Sequence, residues 1–195
     1  MSKLALRGLV LGAAIALLGI ASYAIAGGGT RNFNGDPMIG YEENPDISSV
    51  ATGEFTARLS DDGNSLHYKL TYSGLEGAVT QAHVHFGKRA VNGGVSYFLC
   101  GTAAAPGPAG TPACPTPGGT VEGDIDAADV IGPSPQGIEP GAFKEILAAM
   151  RAGSAYANVH STKWPGGEIR AQITKGRGGD HDNGKGKKRH DDDDD

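Results

Sequence analysis

Cysteine is scarce in this 195-residue chain, with Cys100 and Cys114 the only two. That count excludes a cysteine-rich binding scaffold. No histidine stands beside either of them, which disfavours a thiolate metal site over a simple pair. Basic residues are also short: the formal net charge is −5. The one dense basic run, Lys185 to Arg189, is followed directly by five aspartates. With no basic patch on its patterned part, the chain is a poor candidate for nucleic-acid binding. Motifs of several enzyme classes are missing as well. No Gly-x-Ser-x-Gly elbow, phosphate-cradling loop or dinucleotide fingerprint occurs. Asp124, Asp126 and Asp129 lack the spacing and the closing glutamate of a calcium loop. No long apolar run follows residue 26, so no membrane span is expected once a leader is removed.

The leader itself is present. Lys3 and Arg7 form a positive start, Leu9 to Ile20 is apolar, and Ala24-Ile25-Ala26 offers small residues for cleavage. Residues 1–26 therefore read as a secretory signal. The competing reading is a retained anchor, because Gly8 to Ala26 is nearly long enough to cross a bilayer. Either way the remainder is expected to be exported, to a periplasm or to the medium, with an extracellular partner that the residues do not name. In an oxidising compartment Cys100 and Cys114 should pair. The bridge would close a loop of about 15 residues and contribute roughly 3 kcal/mol.

Beyond the leader, residues 27–47 are rich in Gly, Asn, Asp and Pro and read as an extended lead-in. The pattern then turns to period two. Gly53 to Leu59 alternates Phe55, Ala57 and Leu59 with polar partners, Asp61 to Asn64 makes a turn, and Leu66 to Tyr72 alternates again. Further strands are predicted at about 78–86, 94–99, 120–125, 156–160 and 168–174. Five prolines in 101–119 forbid a central strand there. Asp126 should cap a single helical turn. One helix is predicted at about 140–152, with Phe143, Ile146, Leu147 and Met150 on one face and Gly153 at its end. Short strands with a single helix point to an antiparallel β-sandwich or a flattened barrel over residues 48–174. Residues 175–195 hold too little apolar surface to order and are expected to be a disordered charged tail.

The chemistry-bearing residues lie on two strands. In Gln81-Ala82-His83-Val84-His85-Phe86, alternation puts His83 and His85 on one face, with Ala82 and Val84 towards the core. In Tyr156-Ala157-Asn158-Val159-His160, the three polar-tipped residues share a face. Three imidazoles meet if the strands are neighbours. His67 reads as a surface residue, and His181 and His190 fall in the tail. Ser161 follows His160 directly, so the two side chains point opposite ways and form no nucleophile–base pair.

The motifs Ala51-Thr52-Gly53, Ala82-His83-Val84-His85, Ala152-Gly153, Tyr156-Ala157-Asn158-Val159-His160-Ser161 and Pro165-Gly166-Gly167-Glu168-Ile169-Arg170-Ala171-Gln172 occur in that order. In this the chain resembles the CHRD domain, named for its repeats in chordin, a secreted antagonist of bone morphogenetic proteins. Ser161 stands where the family has Thr, Ala171 where it has Gly, and Phe86 intervenes before Gly87. The resemblance implies an extracellular domain, not an activity. Growth-factor antagonism belongs to cysteine-rich companions that this chain lacks.

Two readings of the histidines follow. Three imidazoles from two strands suit copper or zinc, and the His-Val-His strand is similar to the copper strand of copper/zinc superoxide dismutases. That reading makes His83, His85 and His160 metal ligands in a carrier or redox protein. The other reading is structural: Gln81, Tyr156, Asn158, Glu168 and Arg170 join the histidines in a hydrogen-bonded polar layer of a non-enzymatic binding or structural module. No catalytic residue is assigned under either.

Overall fold

The computed structural model describes residues 29–176. The signal reading of residues 1–26 and nearly all of the tail lie outside them. Nine strands form one antiparallel sheet: β1 Asn32–Ile39, β2 Thr52–Leu59, β3 Leu66–Ser73, β4 Val79–Phe86, β5 Gly94–Gly101, β6 Gly119–Ile125, β7 Ala155–Ser161, β8 Ile169–Gln172 and β9 Thr174–Lys175. The spatial order is β5-β4-β7-β8-β1-β2-β3-β6, with β9 paired to β1. The sheet curls so that β5 and β6, its two ends, approach one another. Of the two architectures expected, the barrel-like one is found.

Alternation explains most of the strands. In β3, Leu66, Tyr68, Leu70 and Tyr72 are buried and the residues between them face outward. They stack on Phe55, Ala57 and Leu59 of β2, and each large side chain so buried contributes about 1.5–3 kcal/mol. The near-closure is sealed by polar contacts: the Tyr68 hydroxyl donates to Leu99 O of β5 at 2.6 Å. Ile131 N donates to Ser96 O of the same strand at 2.9 Å.

The sheet begins earlier than the composition suggested. Residues 32–39, within the stretch read as a lead-in, are β1, which pairs with β2 on one side and with β8 and β9 on the other. Its Gly-Asp-Pro centre sits at an irregularity of register between Gly35 and Met38. That is where a strand tolerates proline. Phe33 and Met38, both fully buried, hold β1 in place.

One α-helix is present among the described residues, α1 Phe143–Arg151, three residues shorter at its start than predicted. Pro140 and Gly141 belong instead to the preceding turn, closed by the Ala142 N to Glu139 O bond. The apolar face is as expected, with Phe143, Ile146, Leu147 and Met150 buried. Gly153, at φ +65°, ends the helix in the left-handed region that favours glycine. Asp126 caps a 3-10 turn, Ala127–Asp129, by accepting from Ala128 N at 2.7 Å. Cys100 and Cys114 form a disulfide that pins the proline-rich excursion. No helix among the described residues is long and apolar enough to cross a membrane.

Candidate functional site

β4 lies between β5 and β7, and β7 lies between β4 and β8. Register then does the placing. His83 faces Asn158, His85 faces Tyr156, and Gln81 faces His160. Asn158 in turn faces Arg170, and Tyr156 faces Gln172. These residues share the outer face of the barrel wall, while Ala82, Val84, Ala157 and Val159 fill the inner one. His83 and His160 are diagonal neighbours, close enough for long side chains to meet.

The three imidazoles do meet. His83 Nδ1 lies 3.2 Å from His160 Nε2. One nitrogen from each of His83, His85 and His160 falls within 4.8 Å of the others. Two ligands on a tetrahedral zinc ion at 2.0–2.1 Å would stand about 3.3 Å apart, a spacing that the His83–His160 pair already has and that the widest pair of the set exceeds by about 1.5 Å.

Backbone carbonyls orient two of the rings. His85 Nδ1 donates to Gly93 O at 3.0 Å, and His160 Nδ1 donates to Pro165 O at 3.0 Å. A carbonyl can only accept, so in each ring the proton is on Nδ1 and the lone pair on Nε2. His83 has no carbonyl partner on either nitrogen. Its Nε2 and that of His85 are buried without a hydrogen-bond partner.

Although this is the outer face of the sheet, it is not a wet one. His83 and His85 are 5 % and 8 % exposed. Phe98 meets the His83 ring edge-on at 4.4 Å between centroids. Tyr156 lies parallel to His85 at 4.7 Å, and the Arg170 guanidinium carbon sits 3.3 Å from the Tyr156 ring centre. Burial pushes His83 down to about 3, with the neighbouring His160 and His85 adding to the shift. Burial also brings His85 down to about 4, against the opposing bond from Gly93 O. His160 is lowered by burial too, with its bond to Pro165 O acting the other way. All three are therefore neutral at pH 7, the form in which imidazole binds a metal.

A second polar layer lies behind the rings. Asn158 donates to the Glu43 carboxylate, and Arg170 Nη2 donates to Lys88 O at 2.9 Å and Val91 O at 3.0 Å. Burial raises Glu43 to about 7 despite the attraction of Arg170 and the bond from Asn158. Gln81 Nε2 donates to Ala105 O at 3.1 Å, tying β4 to the disulfide-pinned excursion. Glu168 is fully buried, and its Oε1 accepts from Ser49 Oγ and from Glu76 N, both at 2.7 Å. The structure thus gathers Gln81, Tyr156, Asn158 and Arg170 around the histidines, and directs Glu168 to the loops at one end.

Four participants carried no signal in the sequence: Glu43, Phe98, and the carbonyls of Gly93 and Pro165. Carbonyls leave no trace in residue identity. Glu43 is brought in by the turn after β1, inside the stretch read as a lead-in. His67 is exposed and pairs with Asp124 at 3.0 Å, away from the cluster. Ser161 is fully buried, and its hydroxyl accepts from Trp164 N. A surface groove of about 710 Å³ beside the start of α1 contains none of the histidines.

The family model of the CHRD domain matches residues 37–173. No curated protein and no solved structure matches the chain.

Proposed function

The chain belongs to the CHRD-domain family, and from that premise we propose that it is an exported, non-enzymatic binding module whose His83, His85 and His160 hold one copper or zinc ion. Export is supported by the N-terminal charge and apolar pattern and by the extracellular character of CHRD domains. The metal reading is carried by one observation. The carbonyls of Gly93 and Pro165 fix the protons of His85 and His160 on Nδ1 and leave Nε2 of each ring as a lone pair beside His83. Such carbonyl partners are the usual means by which a protein orients a metal-binding imidazole.

In this reading His85 and His160 bind through Nε2, and His83 supplies the third nitrogen. Phe98 and Tyr156 keep water from the rings, and Asn158 and Arg170 brace the strand that carries them. A bound ion would supply Lewis acidity and a strong link between β4 and β7. No acid–base or nucleophilic pair accompanies the cluster, so no reaction is assigned.

The structural reading also has an observation in its favour. Arg170 ties two loop carbonyls to the stacked Tyr156, as a purely architectural layer would. Elemental analysis separates the two. Protein purified from periplasm or medium should carry about one copper or zinc per chain, and His85→Ala should carry none. Metal-free wild type that also fails to take up added copper or zinc leaves the structural reading standing.

A further inference from the structure

The charges around the three imidazoles bear on which ion they would hold. The cluster contains histidine alone, with no Asp, Glu or Cys ligand atom among its members. Its walls are the edge of Phe98 and the face of Tyr156. Behind Tyr156 stands a permanent cation: the Arg170 guanidinium lies 3.3 Å from the ring centre, and that ring lies 4.7 Å from His85. The charge is therefore within about 8 Å of the imidazole. Glu43 is the carboxylate bonded to this layer, through Asn158, and its raised value leaves it only partly ionised at neutral pH. Glu168 is engaged by Ser49 and Glu76 and offers the cluster no ligand atom.

The cost of taking an ion out of water grows with the square of its charge. A divalent ion would lose about four times the solvation of a monovalent ion of similar size. Neutral ligands repay none of that by charge, and Arg170 opposes the divalent ion twice as strongly. A divalent ion would gain more than a monovalent one from drawing hydroxide or another anion from solution as a further ligand. Among monovalent ions, few form strong bonds to nitrogen; Cu(I) and its redox-inert analogue Ag(I) do, and both accept low coordination numbers.

From this charge pattern we infer that the three-histidine centre selects monovalent copper over zinc and divalent copper. The inference rests on the metal reading above and specifies its ion. Arg170 and Glu43 act on the selectivity from outside the ligand set, with opposite signs.

The test uses the full mature chain, stripped with a chelator. Cu(I) is titrated anaerobically with ascorbate against a chromophoric Cu(I) chelator, and Zn(II) against a zinc chelator. Ag(I) is titrated by calorimetry. One Cu(I) or Ag(I) per chain is expected, bound more tightly than Zn(II). Arg170→Gln should lower the Cu(I):Zn(II) affinity ratio by roughly three- to thirty-fold, the range for one charge at that distance in a partly screened site. Glu43→Gln should raise the ratio, by less. Because Arg170 also braces loops, near-ultraviolet circular dichroism checks its variant, and Glu43→Gln, nearly isosteric, supplies the independent arm. Tighter Zn(II) than Cu(I), or a ratio unmoved in both folded variants, overturns the selectivity while leaving a metal site. Absence of binding by any of the three ions overturns both.

Discussion

Acid should weaken the metal-free domain in a way that Glu43 partly conceals. His83 and His85 have folded values of about 3 and about 4, against about 6.5 in an unfolded chain. A depressed value means that the unfolded chain takes up the proton first. The stability these residues permit is complete above pH 6.5 and is lost as pH falls towards the folded values. At pH 5 each neutral ring costs about 2 kcal/mol, so the two together cost about 4 kcal/mol. His160 is shifted in the same direction and adds to the loss. Glu43 works oppositely. Its folded value of about 7 exceeds the unfolded one, so its contribution is complete below pH 4.5 and lost as pH rises through 7. On going from pH 7.5 to pH 5 it returns about 2 kcal/mol. The wild type should therefore lose about 2 kcal/mol from these three groups, and Glu43→Gln, which cannot take up the proton, about 4 kcal/mol. Guanidinium unfolding at both pH values, with the disulfide intact and chelator present, reads the difference through the transition midpoints. A variant no more acid-sensitive than wild type would refute the assignment of Glu43 as a buried, proton-accepting carboxyl. Identical midpoints at the two pH values in both proteins would refute the buried neutral histidines as well.

Two further outcomes follow from the geometry. Replacing Cys100 and Cys114 together by serine should cost about 3 kcal/mol through the unfolded chain and release the excursion that accepts from Gln81; an unchanged denaturant midpoint would argue against it. Gly93→Ala would drive a methyl carbon into Phe86 O, so the strand and loop must part. The expected result is a loss of about 1–3 kcal/mol together with a shifted His85 Nδ1 proton resonance, because the same residue supplies the carbonyl to that ring. Wild-type stability with an unmoved resonance would rule out this contact.

Much of the barrel was legible because period-two alternation leaves a direct imprint on residue choice. β2, β3 and the apolar side of β4 each follow from it, and the apolar face of α1 follows from helical spacing. β1 did not follow, since Gly35, Asp36 and Pro37 carry the composition of a loop. Its strand character comes from neighbours on both sides, and pairing overrides local preference. The face shared by His83 and His85 could be read from alternation, whereas His160 needed the β4–β7 register. What no pattern indicated was that this outer face would be dry. Loops from residues 40–50 and 87–93 close over it, and the covering arises from contacts far apart in sequence, such as Asn158 with Glu43 and Arg170 with Lys88.

The seal between the two ends of the sheet has a consequence for how molecules of this protein behave in a crowd. A bare sheet edge is a template on which another chain can add a strand and begin a fibre. Along β5 the carbonyls of Ser96 and Leu99 are already taken by Ile131 and Tyr68, and Gly101 is bonded to Pro112 and Cys114. That part of the β5 edge is thus spent on the protein's own hydrogen bonds. At high local concentration this stretch of β5 therefore offers an incoming strand fewer free groups to pair with.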